Sequence, residues 1–214
     1  MPARWFNLAV KVAFGLLMAV VVFFPDLEGF AGKAPLVRAL TYPLAGIVVP
    51  IGWWLRGRRA PYPHAADGLI GLPFVIDLAG NVPDLYDRIT WWDDGNHFWN
   101  WGLLCAGVGL LLARSPRVAD PRVLGGLVGG FGGVAIIIWE VGEYFAFIRN
   151  STELDTAYTD TLGDLLLSTL GGIAGAAVLA WRASRRAAGV GEKPALVGSP
   201  RSELRAGPHR PPPL

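Results

Sequence analysis

Cysteine and charge are scarce in this sequence, and each scarcity excludes a class of protein. The chain has one cysteine, Cys105, so no intrachain disulfide can form, and the thiol is expected to fill space within an apolar run. Charged residues make up 17% of the chain and the formal net charge is only +2, which gives no electrostatic footprint for nucleic acid. Hydrophobic residues are abundant instead, at 52%. The composition therefore favours a membrane protein.

The apolar residues are grouped into runs of about 20, the length a helix needs to cross a hydrocarbon core of about 30 Å. The third run is short and contains Asp67, Pro73 and Asp77, but the charges on either side of it require a crossing there. The sequence therefore predicts an all-α transmembrane bundle of about six helices. The predicted spans are Trp5–Phe24, Leu36–Leu55, Asp67–Pro83, Gly95–Ala113, Arg122–Phe147 and Thr161–Trp181.

Basic and acidic connections alternate along the chain, and this alternation sets the orientation. Arginines gather near the N-terminus and after the second, fourth and sixth spans, whereas acids fill the other connections. By the positive-inside rule both termini are cytoplasmic and the acidic connections are extracytoplasmic. We expect residues 1–186 to form the transmembrane domain of a multi-pass plasma-membrane protein. Residues 187–214, rich in Gly, Pro and Arg, are expected to form a disordered cytoplasmic tail.

Several carboxylates and one histidine fall inside the spans or at their outer ends, where an ionisable group costs roughly 2.5–3.5 kcal/mol. Many of them are three or four residues apart, so each pair shares a helix face. Asp and Glu with one His form a ligand set for Zn, Mn or a similar divalent metal. The candidate metal ligands are Asp93, His97, Glu140, Glu143, Asp160 and Asp164, and a neighbouring polar cluster is Asp77, Asn81, Asp84 and Asp94.

Such a cluster of carboxylates would repel itself, and three ways of relieving the repulsion stay open. A divalent cation could neutralise it. Several carboxylates could instead be protonated, as in a proton relay. Alternatively, Arg88 and Arg149 could pair with the acids in a structural network.

Glycines in the last two spans are four residues apart, a spacing that permits close helix packing. The sequence predicts such packing at Gly125, Gly129 and Gly133 in the fifth span and at Gly171 and Gly175 in the sixth.

Three segments carry a family resemblance: WDDGNH at 92–97, WEVGEY at 139–144 and DTLGD at 160–164. With them, roughly residues 84–180 resemble the YjdF-type inner-membrane proteins and, more loosely, the VanZ-like family. Both families have Asp-x-x-x-His at a helix start, an acidic or amide pair on a following helix, and an Asp in a final helix with small residues. VanZ-like proteins usually have a basic residue where Asp94 stands, which favours the YjdF-type assignment. The resemblance implies a polytopic plasma-membrane protein and supplies no reaction.

These observations lead to three functional hypotheses. The first is a metal-binding membrane protein that binds or acts on an envelope lipid or lipid-linked precursor at the outer leaflet; whether it is an enzyme stays open. If it is one, the metal would activate water. The second is a small cation or proton transporter that uses the carboxylates as a relay. The third is a structural membrane protein whose acids form salt bridges. The lipid bilayer is the partner common to all three.

Overall fold

The computed structural model describes residues 2–118 and 120–191, and this part of the chain is built from α-helices joined by short turns. The helices are α1 (Ala3–Phe23), α2 (Pro35–Thr41), α3 (Pro43–Leu55), α4 (His64–Asn81), α5 (Leu85–Arg88), α6 (Trp92–Leu112), α7 (Pro121–Ala146) and α8 (Ala157–Gly191). The all-α prediction is confirmed.

The helices differ in how well they suit a lipid environment. The segments Ala3–Phe23, Pro35–Leu55, Pro121–Asn150 and Ala157–Arg185 are long and apolar enough to cross a membrane. Helices α4 and α6 are not among these segments, because polar residues and glycines lower their mean hydropathy, and they occupy the middle of the bundle. Helix α6 packs most closely with α8 and α4, and α4 packs in turn against α1. Because the polar faces of these two helices meet protein rather than lipid, they can hold acids inside the bundle.

The second predicted span is divided into two helices. It consists of α2 and α3, which meet at Tyr42 immediately before Pro43. Proline has no N–H to donate to the carbonyl four residues earlier, and its ring crowds the preceding turn. Tyr42 keeps a right-handed helical conformation, so the chain continues as one candidate span of 21 residues.

The third predicted span is a continuous helix despite Pro73. Helix α4 has 18 residues, about 27 Å at 1.5 Å per residue, which is close to the thickness of the hydrocarbon core. It begins three residues before the predicted Asp67 and ends at Asn81, two residues before the predicted Pro83.

The prediction of close packing at glycines is confirmed for α8 and wrong for α7. A Cβ at Gly171 would collide with the Phe98 carbonyl of α6, and one at Gly175 would collide with the Gly102 carbonyl. Helices α6 and α8 are therefore in backbone contact. By contrast, no atom of the described residues lies within 4 Å of a Cβ built at Gly125, Gly129 or Gly133.

The predicted tail lies mostly outside the described residues. Helix α8 continues to Gly191, so residues 187–191 are helical where the sequence indicated the start of a disordered segment. The prediction for the remainder, residues 192–214, falls on residues that the structure does not describe.

Candidate metal centre

His97 lies at the centre of a buried cluster formed by α6, α7 and α8. Its Nε2 atom is 3.5 Å from Asp164 Oδ1 and 3.8 Å from Asp93 Oδ1. The side chains of His97 and Asp164 are almost completely buried, whereas that of Asp93 is 44% exposed. Asp93 therefore marks the side of the cluster that opens towards the acidic end of the bundle.

The other ring nitrogen of His97 faces different partners. Its Nδ1 atom lies 3.0 Å from the Ser168 hydroxyl and 3.9 Å from Glu140 Oε1. Glu140 is buried, and its Oε1 atom has no hydrogen-bond partner among the described residues. Ligand atoms of His97, Glu140 and Glu143 lie within 4.8 Å of one another, as do those of Asp93, His97 and Asp164. Two overlapping groups of possible metal ligands thus share one imidazole.

The close approach of α8 to α6 builds this cluster. Asp164 and Ser168 precede Gly171 by seven and three residues, so all three lie on one face of α8. The glycine lets the two backbones touch, which places the carboxylate and the hydroxyl against His97, one residue before Phe98. A glycine that looks purely structural in the sequence is therefore needed to bring the polar residues together.

Asp160, a predicted metal ligand, and Asp94, a member of the predicted polar cluster, are not brought to His97. Asp160 and Asp94 are both exposed, and neither belongs to either group of possible ligands. Asp160 lies on α8 one turn closer to the aqueous end than Asp164, and Asp94 follows Asp93 on α6, about 100° further round the helix.

The polar cluster around Asp77 forms a separate buried centre. Asp77 accepts hydrogen bonds from Tyr42 and Tyr86, each at 2.7 Å, from Asn81 Nδ2 at 3.3 Å and from Arg38 Nε at 3.2 Å. Arg38 is only 8% exposed. Its role as the counter-ion was not predicted, because it comes from the second span and nothing in the local pattern links it to α4.

Asp84 pairs with Lys33 at the acidic end of the bundle. Lys33 Nζ lies 3.1 Å from Asp84 Oδ1 and 2.7 Å from Asp87 Oδ2, and Arg88 Nε lies 3.8 Å from Asp84 Oδ2. The hydrogen bond from Lys33 holds the pKa of Asp84 below its ordinary value of 3.8. Of the two arginines expected to pair with acids, Arg88 does so, whereas Arg149 stacks on the Phe145 ring and forms no ion pair among the described residues.

A further buried carboxylate, Asp67, lies at the opposite, basic end of the bundle. It is completely buried and accepts from Lys11 Nζ at 2.9 Å, Asn7 Nδ2 at 2.9 Å and Tyr62 at 2.6 Å. A proton relay through the bundle would have to continue to an acid at this end, and Asp67 is a buried acid there. Its carboxylate is instead held by an ion pair and two further hydrogen bonds, which ties α1 to α4.

A cavity of about 100 Å³ lies between the Asp77 centre and the His97 cluster. Its walls include Arg38 and Asp77 on one side and Asp93, His97 and Glu143 on the other. At roughly 30 Å³ per water molecule, the space holds about three waters.

Long apolar helices around central helices with buried acids define a polytopic α-helical membrane protein. A family described as "Predicted membrane protein (DUF2238)" matches residues 6–185, and the chain belongs to this family, which is the YjdF family. The looser similarity to VanZ-like proteins finds no support in this match. No curated protein and no solved structure matches the chain.

Proposed function

We propose that this protein binds one divalent cation, Zn²⁺ or Mn²⁺, within the plasma membrane through Asp93, His97 and Asp164. The observation that carries the proposal is the absence of a basic partner. Among the side chains of residues 2–118 and 120–185, no Lys or Arg lies within ion-pair distance of these acids or of Glu140 and Glu143, whereas Asp67, Asp77 and Asp84 each have at least one. A divalent cation would supply the missing positive charge.

The distances fit a metal ion without a rearrangement of the backbone. Two ligand atoms about 2.1 Å from a tetrahedral metal are about 3.4 Å apart. The separation of His97 Nε2 from Asp164 Oδ1 is 3.5 Å, and that from Asp93 Oδ1 is 3.8 Å. Small side-chain rotations of the two aspartates would close the remaining gap.

The Ser168 hydroxyl favours Nε2 over Nδ1 as the metal-binding atom. In the tautomer that donates from Nδ1 to Ser168, at 3.0 Å, the Nε2 lone pair faces Asp93 and Asp164. Metal-binding histidines usually donate their other N–H to an oxygen in this way. Glu140, on the Nδ1 side, would add negative charge beside the imidazole.

Three protein ligands leave a fourth position open, as is typical of catalytic rather than structural zinc sites. Asp93 and His97 both line the 100 Å³ cavity, so that position would face it. We propose that it receives water or the polar group of an envelope lipid or lipid-linked molecule. Bound water would there be activated as a nucleophile for hydrolysis or transfer.

Metal analysis of the purified protein tests the proposal. After detergent extraction without a histidine tag and loading with Zn²⁺ or Mn²⁺, we expect about one equivalent per chain. His97→Ala and Asp164→Asn should lose it, whereas Asp94→Asn, an exposed neighbour, should keep it. Ser168→Ala should weaken affinity by about 10–100-fold. Stoichiometric metal in His97→Ala, or no binding by the wild-type protein, would refute the site.

The lipid part of the proposal has its own measurement. In nanodiscs, Mn²⁺ bound at this site should broaden the ³¹P signal of lipids that approach the open position, and Asp164→Asn should abolish the effect. Equal broadening in the variant would show that no lipid phosphate reaches the metal.

A further inference from the structure

Aromatic rings form much of the wall of the cavity. Phe74 meets Tyr42 edge to face, with ring centroids 4.9 Å apart, and Trp139 lies 6.3 Å from Tyr42 at a tilt of 34°. Trp101 and Tyr86 complete the aromatic part of the wall. The face of an aromatic ring attracts cations, and the attraction grows where water is excluded.

The charges on the wall also favour a positive ligand. Three carboxylates, those of Asp77, Asp93 and Glu143, share the cavity with one guanidinium, that of Arg38. Asp77 and Arg38 neutralise each other at 3.2 Å, so the cavity keeps an excess of negative charge. The Glu143 side chain has no hydrogen bond or ion pair within the described part of the chain, and it is only partly buried.

A second acceptor on the wall lacks a donor. Asn100 lines the cavity and donates through Nδ2 to Asn96 Oδ1 at 2.9 Å. This bond sets the orientation of the amide, and the Oδ1 atom of Asn100 is buried with no hydrogen-bond partner in the described structure. A buried acceptor without a donor is costly. A ligand in the cavity that donates an N–H to Asn100 Oδ1 would remove this cost.

We propose that this cavity binds a primary ammonium group, either that of a free alkylamine or the headgroup of an aminophospholipid. Glu143 and Asn100 would accept its N–H hydrogens, and Phe74, Trp101 and Trp139 would enclose its carbon atoms. A space of about 100 Å³ admits an ammonium with one or two carbons, so only the end of a lipid headgroup enters. The acceptors favour a primary amine over a quaternary one, which has no N–H to donate. The binding does not require the metal.

Saturation-transfer NMR with ethylammonium, on protein in deuterated detergent with EDTA, tests this proposal. Ethylammonium should bind, tetramethylammonium should bind at least 10-fold more weakly, and Glu143→Gln should weaken ethylammonium binding by about 10–100-fold, since it removes a charge-assisted hydrogen bond. Glu153→Gln, which alters an exposed loop acid, is the matched control and should bind as the wild type does. Trp139→Leu should also weaken binding, and it gives a second test should Glu143→Gln fail to fold.

Native mass spectrometry of protein taken from nanodiscs of phosphatidylethanolamine and phosphatidylglycerol distinguishes the two possible sources of the amine. Selective retention of phosphatidylethanolamine, lost in Glu143→Gln, identifies the lipid headgroup; ethylammonium binding without such retention identifies a free amine. Equal affinity for both soluble cations, undiminished binding in Glu143→Gln, or a preference for inorganic phosphate would overturn the proposal.

Discussion

Neutralising Asp77 is the perturbation whose cost the structure defines best. The variant Asp77→Asn keeps the size of the side chain but removes the charge that Arg38 faces at 3.2 Å. It also replaces an oxygen that accepts from Tyr42 or Tyr86 with an amide that cannot accept. The wild-type carboxylate thus holds together α2, α4 and α5.

The magnitude follows from the burial of the guanidinium. Arg38 is 8% exposed, and removing one partner of a buried ion pair typically costs about 3–5 kcal/mol. A lost side-chain hydrogen bond in a membrane protein adds only about 0.6 kcal/mol. Because the asparagine retains one acceptor, we expect a loss of about 3 kcal/mol in the free energy of unfolding, or roughly a 150-fold change in the equilibrium constant.

Reversible SDS-induced unfolding in mixed micelles, followed by circular dichroism, measures this loss. The double variant Arg38→Met/Asp77→Asn should be more stable than the sum of the single losses predicts, by at least about 1.5 kcal/mol, because the unpaired charge is gone. Asp155→Asn, in an exposed turn, is the control and should change stability by less than about 0.5 kcal/mol. Additive single effects, or a loss in Asp77→Asn no larger than in the control, would refute the reasoning.

Two other perturbations test the packing of α8 and the surface ion pair. In the same unfolding assay, Gly171→Ala should lower the free energy of unfolding by about 1–3 kcal/mol, because the new Cβ meets the Phe98 carbonyl. Gly129→Ala is the control and should be neutral or stabilising. Equal effects of the two variants would contradict the close contact of α8 with α6. Because the pKa of Asp84 is lowered in the folded protein, the ion pair with Lys33 stabilises the fold fully above about pH 4. This stabilisation disappears as the pH falls through the lowered pKa. Lys33→Met should therefore melt below the wild type at pH 6, and the difference should shrink as the pH falls through the lowered pKa; a difference that does not shrink on acidification would count against this pair.

Much of the bundle was predictable because its causes are local. Run length and charge alternation identified the helices, and their observed ends differ from the predicted ones by a few residues at most positions. The division of the second span at Tyr42 has a local cause as well, because Pro43 follows it. The spacing of Asp93 and His97, and of Glu140 and Glu143, correctly put each pair on one helix face.

The basic residues that pair with the buried acids could not be predicted from local sequence patterns. Arg38 reaches Asp77 across 39 positions of sequence, and Lys11 reaches Asp67 across 56. The arginines nearest in sequence to the predicted cluster, Arg88 and Arg149, were the ones expected to pair, and only Arg88 does. Proximity along the chain is a poor guide because counter-ions in a helical bundle come from whichever helix packs alongside.

Sequence alone therefore determined that this protein is a helical membrane bundle with acids gathered at one end. Tertiary packing decided which acids are neutralised by Lys or Arg and which surround His97 without one. The physical reason lies in the contact between α6 and α8. Gly171 and Gly175 bring the two backbones together there, whereas Gly125, Gly129 and Gly133 of α7 face no neighbour in the described part of the chain. The spacing within a helix selects a face, and only the packed structure shows what that face meets.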